Sequence, residues 1–227
     1  QLAANVIVEG DSTNYYTVEF NDANDTADTV SFANVIDRSG EIHASITTGF
    51  EADTDFSFSL FKSITVNTGQ TLTLTAAQAN GLTITGSGTV AITGLTSAGA
   101  AYVFANITTD VTTLAVSDDV TFTGSFPIGA APTTTVAASK TLTLAAALAN
   151  GKSISGDDGT VAITGLTSAG AAFAFVNITT NVATLAVSDD VAFTGSFPAA
   201  TSPSTTVASG KTLTLAAALA DGETIDG

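Results

Sequence analysis

The sequence predicts an all-β fold, built either as a β-solenoid or as tandem β units of about 70 residues, with a string of small β-sandwich domains as the alternative. Three observations lead there. Ala, Thr, Gly, Ser and Val dominate a chain of 227 residues that has no Cys, Met or Trp and only 11% charged residues. β-Branched side chains suit a pleated, half-buried surface, whereas Gly and Ser in quantity oppose long helices. Short segments such as TLTL, TVAITG and VTFTG alternate apolar and small polar residues with a period of two, the signature of a half-buried strand. The alternation is also copied. Residues 71–140 recur as 141–211 with roughly three-quarters of positions identical and one residue inserted where GSG becomes GDDG.

Taken in order, residues 1–66 read as an acidic, aromatic-richer β module. Alternation is visible in YTVEF (Tyr16, Val18, Phe20) and DFSFSLF (Phe56, Phe58, Leu60). A boundary falls near Asn67-Thr68-Gly69, where VNTGQTLTL matches VASGKTLTL further on. Repeat 1 then covers 67–140, repeat 2 covers 141–211, and 212–227 is the start of a third copy. Alternating strands begin at Thr71, Thr89, Val120 and Thr141, at spacings of roughly 18, 31 and 21 that are close to one coil of a β-solenoid. Their inward residues are Leu72 and Leu74, Val90 and Ile92, Val120 and Phe122; in the second copy they are Leu142, Leu144, Val161, Ile163, Val191 and Phe193. Thr71, Thr73, Ala91, Thr93, Thr121 and Thr123 face outward, so the expected core is narrow and mainly aliphatic. AAQANG has room for one helical turn and is too short and Gly-bounded for a stable helix. TSAGAAYVFANITTDV fits neither architecture readily. An immunoglobulin-like sandwich usually needs about 100 residues and bulky core aromatics, which weighs against the sandwich alternative.

Acids outnumber bases 21 to 5, for a net charge of -16. That field repels nucleic acid phosphates and anionic headgroups, so neither is expected as a partner, and it attracts divalent cations. Zero Cys excludes disulfides, thiolate metal sites and Cys nucleophiles. No apolar run reaches the roughly 18 residues of a transmembrane helix. The chain opens at Gln1 without Met, and its third copy stops within a unit. Both features lead to the expectation of an exported protein that has lost a leader and continues further.

Candidate chemistry is sparse. In NDANDTAD, the oxygens of Asp22, Asn24, Thr26 and Asp28 alternate and could converge on calcium. The segment departs from an EF-hand loop, with Ala27 in place of the sixth-position Gly and no closing Glu, so a solvated acidic loop is the competing reading. The SDD turns place Asp118–Asp119 and Asp189–Asp190 at equivalent positions, and Asp157–Asp158 forms a third pair. Paired carboxylates serve glycoside hydrolysis when they flank a bond. Turn chemistry is copied along an array more readily than a catalytic site, so turn formation is the leading reading and calcium binding the second. His43, in GEIHASI, is the only histidine and lacks any nucleophile-elbow context. Sequons occur at Asn24, Asn106 and Asn177.

The repeats VASGKTLTLAAALADG and DGTVAITGLTSAG resemble those of giant bacterial β-strand-repeat surface proteins, the group of S-layer proteins and filamentous-haemagglutinin-like adhesins. The resemblance covers residues 66–227 and carries over no functional residue. It implies export, assembly on the cell envelope and frequent calcium dependence. The function expected is therefore non-catalytic: self-assembly into an S-layer, sheath or extracellular filament, with copies of itself and cell-envelope polysaccharide as partners. An adhesin stalk is the alternative, and a polysaccharide-acting β-helix enzyme a remote one. T-x-T pairs such as Thr71/Thr73 are similar to those of ice-binding solenoids. The second repeat breaks that array with Ala192 and with Ser153/Ser155.

Overall fold

The computed structural model describes residues 16–20, 30–36, 42–46, 50–51, 61–129, 132–156, 158–200 and 202–227, with side chains described from Ser63 onward except those of Val182 and Ser202. The fold is predominantly β-strand, and most of its strand pairs are parallel. Before the repeats lie β1 (Tyr16–Phe20), β2 (Val30–Ile36), β3 (Ile42–Ile46), β4 (Phe50–Glu51) and β5 (Phe61–Val66). β1 and β2 pair antiparallel, as do β2 and β3; among the described residues every later pair is parallel. Repeat 1 contributes β6 (Thr71–Thr75), α1 (Ala76–Ala79), β7 (Ile84–Gly86), β8 (Thr89–Leu95), β9 (Asp110–Val116), β10 (Val120–Phe122) and β11 (Thr133–Val136). Repeat 2 contributes β12 (Thr141–Ala145), α2 (Ala146–Ala149), β13 (Ser153–Ser155), β14 (Thr160–Leu166), β15 (Val182–Val187), β16 (Val191–Phe193) and β17 (Ser202–Val207). The third copy supplies β18 (Leu213–Leu215), α3 (Ala217–Ala220) and β19 (Ile225–Asp226).

Strands distant in sequence become neighbours at nearly constant steps. One sheet has the order β13-β11-β9-β8-β6-β4 and a second the order β10-β12-β14-β15-β17-β19. Within the first, Leu72 lies opposite Val90, Leu114 opposite Thr134, and Ile154 is bridged to Ile178. The chain therefore spends roughly 20 residues on each step from one rung to the next. The ladder crosses Asn67 without a break, because β5 pairs with β7 and β4 with β6. The long apparent gap between Thr89 and Val120 holds a further strand, β9, whose Leu114 lies opposite Ile92 of β8. Its alternation is hidden in the sequence by the polar start DVTT.

Alternation places the apolar residues inside. Leu72, Leu74, Val90, Ile92, Leu142, Leu144, Val161 and Ile163 are each at most 1% exposed, and Val191 and Phe193 are buried with them. Thr71, Thr93, Thr121 and Thr123 face solvent, whereas Thr73 and Ala91 are half-buried. Burying one aliphatic side chain of this kind contributes about 1.5–3 kcal/mol. The core is less aliphatic than expected. Phe104 stacks on Phe122 at 6.2 Å between ring centroids, and Phe175 stacks on Phe193 at 6.4 Å. Each pair joins a ring from the tract that fitted no strand pattern, or its copy, to a ring at the end of β10 or β16. In that tract Ser97–Gly99 forms a 3-10 turn, Val103 bridges to Ser125, and Ile107 bridges to Ile84.

AAQANG forms a single turn, α1, with Ala76 and Ala79 buried. A capping box closes it, in which the Thr75 side chain accepts from the Gln78 N–H and Gln78 accepts from the Thr75 N–H. α2 and α3 start at Ala145 and Ala216 without a side-chain cap. Close approach between rungs fixes two glycines: a Cβ on Gly124 or Gly195 would collide with the carbonyl oxygen of Tyr102 or Phe173.

Candidate functional site

The acidic SDD turns are the best-described candidates. Each joins a strand of one sheet to a short strand of another, β9 to β10 and β15 to β16. Asp119 Oδ1 accepts from the backbone N–H of Thr141 at 2.7 Å, and Asp190 Oδ1 accepts from that of Thr212 at 2.8 Å. Lys140 Nζ pairs with Asp118 Oδ1 at 3.2 Å, and Lys211 Nζ with Asp189 Oδ1 at 3.0 Å. Ser97 Oγ adds a long 3.4 Å contact to the other Asp118 oxygen. The partners of each turn thus lie on the next rung, 22 residues away, as well as within the turn. The turn reading therefore needs enlarging: these carboxylates clasp one rung to the next.

Electrostatics follow the contacts. The Asp118 carboxyl is held below the usual carboxylate range, first by the Asp119 N–H and then by the Lys140 ammonium. Asp189 is lowered too, with the Lys211 ammonium first and the Asp190 N–H second. Lys211 is raised in return by Asp189. A lowered carboxyl is a poor general acid near neutral pH. Gln70 stands at the head of repeat 1 where Lys140 and Lys211 stand at the heads of the later copies.

A second clasp recurs beside the first. Asn80 Oδ1 accepts from the Val103 N–H, and Asn150 Oδ1 from the Ala174 N–H, both at 2.8 Å. Sequence inspection missed these asparagines, although their place in ANG of both complete copies was a usable signal. Asp158 Oδ1 accepts from Asn181 Nδ2 at 3.0 Å, and Asp157 lies outside the described residues. Lys152 Nζ sits 5.1 Å from the centre of the Phe126 ring.

Asp22, Asn24, Thr26 and Asp28 all lie outside the described residues. His43 is in β3, opposite Val35 of β2 and Ser63 of β5. Asn106 and Asn177 are exposed, and their carbonyls accept from Ile84 and Ile154 of the neighbouring rung. Among the described residues no three His, Asp or Glu side chains converge as a metal-binding group. A shallow groove of about 460 Å³ on the outer face of β10, β12 and β14 is lined by Thr121, Thr123, Thr143, Ala145, Leu148 and Thr164, none of them titratable. No helix among the described residues is long and apolar enough to cross a membrane. No protein-family model, no curated protein and no solved structure matches the chain.

Proposed function

We propose that this chain is a β-solenoid stretch of an exported, non-catalytic surface protein that assembles with copies of itself into an S-layer, sheath or extracellular filament. The solenoid is favoured over a string of sandwiches because the repeats pair in parallel at steps of about one coil, whereas immunoglobulin-like sandwiches are antiparallel. One observation carries the structural role. The paired acids of the SDD turns, Asp118–Asp119 and Asp189–Asp190, make the same rung-to-rung bonds in both copies. Side chains repeated for that purpose extend a rod. The resemblance to β-strand-repeat surface proteins points the same way, and cell-envelope polysaccharide is the natural second partner of such a surface.

A near-identical unit multiplies any weak contact between rods, because linked contacts raise one another's effective concentration. Outward Ala, Thr, Ser and Gly lose little side-chain entropy when a neighbour covers them. Sedimentation of the purified protein at rising concentration, with and without calcium, tests the reading. Large assemblies in at least one condition are expected. A single monomeric species in both would replace assembly with the adhesin-stalk reading.

A further inference from the structure

The copies of the repeat are not in register with the rungs. β6, β12 and β18 are the same TLTL segment of successive repeats, yet they belong to three different sheets. The displacement is systematic. β8, β9 and β11 lie in the sheet that contains β4, and their counterparts β14, β15 and β17 lie in the sheet that contains β10. β7, β13 and β19 also fall in three different sheets. The pairing explains why. Thr73, Ala91, Thr113 and Thr133 occupy successive rungs, so three steps carry the chain from Thr73 only as far as Thr133. The counterpart of Thr73 in the next copy is Thr143, which lies beyond Thr133 and pairs with Thr121 and Ala162 instead. From Thr143 the rungs run through Ala162 and Thr184 to Ser204, and its counterpart Thr214 again lies further along, opposite Ala192.

Three ladders are laid down in each coil. Between Ile84 and its rung partner Ile107 the chain also passes through β8, paired in the first sheet, and through Val103, bridged to Ser125. We propose that repeat and coil are out of step by one side of a three-sided coil. Each copy then turns its surface to a new side of the rod, and a given side recurs only on the fourth copy. This rests on the solenoid reading above. A contact surface encoded once per repeat is offered around the rod in rotation, so neighbouring rods of the same chain can be engaged on every side. A repeat in step with the coil would confine that surface to one side.

Cysteine pairs in the full chain test the phase, since the sequence has no native Cys. Neighbouring strands lie about 4.8 Å apart, within the span of a disulfide or a short thiol cross-linker. Thr113→Cys with Thr133→Cys reports the coil, and Thr121→Cys with Thr143→Cys reports the shift between copies. Thr113→Cys with Thr143→Cys is the pair that an in-step repeat would bring together. Circular dichroism before oxidation checks that each variant folds, and a gel-mobility shift reads closure. The first two pairs are expected to close and the third to stay open. If Thr113/Thr133 closes but Thr121/Thr143 does not, the phase shift is overturned while the coil stands. If neither closes in folded protein, the coil itself is overturned.

Discussion

Alternation makes strong demands at a few single residues. Ile163 is fully buried between Leu144 and Leu185 of the neighbouring strands. Ile163→Asp would put a carboxylate among apolar side chains with no partner, and a loss of about 4 kcal/mol or more is expected. Ile163→Val should cost only about 1 kcal/mol. Urea unfolding followed by circular dichroism separates the two, and equal midpoints would refute the packing argument. The clasp acids make a second prediction. A carboxyl lowered by folding binds its proton more weakly in the native state, so its contribution is present above the ordinary Asp value of about 4 and is lost as pH falls through the native value. Because the Lys140 ammonium helps lower Asp118 and the Lys211 ammonium helps lower Asp189, Lys140→Met should raise the titration point of Asp118 and Lys211→Met that of Asp189. Carboxyl NMR titration reads both, and an unmoved titration point in either variant would contradict the pairing. These pairs are exposed, so little stability is expected from them, and less in high salt.

Elements were legible where the period of two was long and uninterrupted. β6, β8, β12 and β14 follow directly from TLTL and TVAITG. β9 was not, because its polar first residues mask the inward Leu114 and Val116. The single helical turns form with and without a cap. Copy 1 has a capping box, whereas copies 2 and 3 begin the turn with an uncapped alanine. In copy 2 the uncapped turn buries Ala146 and Ala149, and in copy 3 it buries none of its residues. Ala145→Thr should therefore add stability of about 0.5–1 kcal/mol by supplying the missing N-cap. A rise in the urea midpoint is the expected outcome, and an unchanged midpoint would mean that the turn is already saturated by packing.

Over the whole chain, charge is unevenly distributed. Residues 1–66 carry 11 acids against Arg38 and Lys62, a net of -9, and residues 67–227 carry 10 acids against three Lys, a net of -7. Crowded like charges favour a screening or ligating cation, so calcium, if bound, is expected within residues 1–66 and around NDANDTAD. Chelation should then lower the melting temperature, and an unchanged transition would retire calcium.

The β class, the inward and outward residues of the clearest strands, and the existence of a copied unit are all written in the linear chain. Each depends on neighbours one or two positions apart, or on comparing a segment with its own copy. Which strands meet is settled only in three dimensions. Parallel partners lie roughly 20 residues apart, a step that the spacings of about 18 and 21 between strand starts suggest and that the 31-residue gap across β9 conceals. It emerges from how much chain, including the bulge between Ile92 and Leu95, is used in returning to the same sheet. For the same reason the partners of Asp119 and Asn80 are decided in three dimensions, since each bonds a backbone N–H more than 20 residues away. The same pairing places β6, β12 and β18, the TLTL segments of successive copies, in three different sheets, because a copy of about 70 residues does not divide evenly into steps of this length.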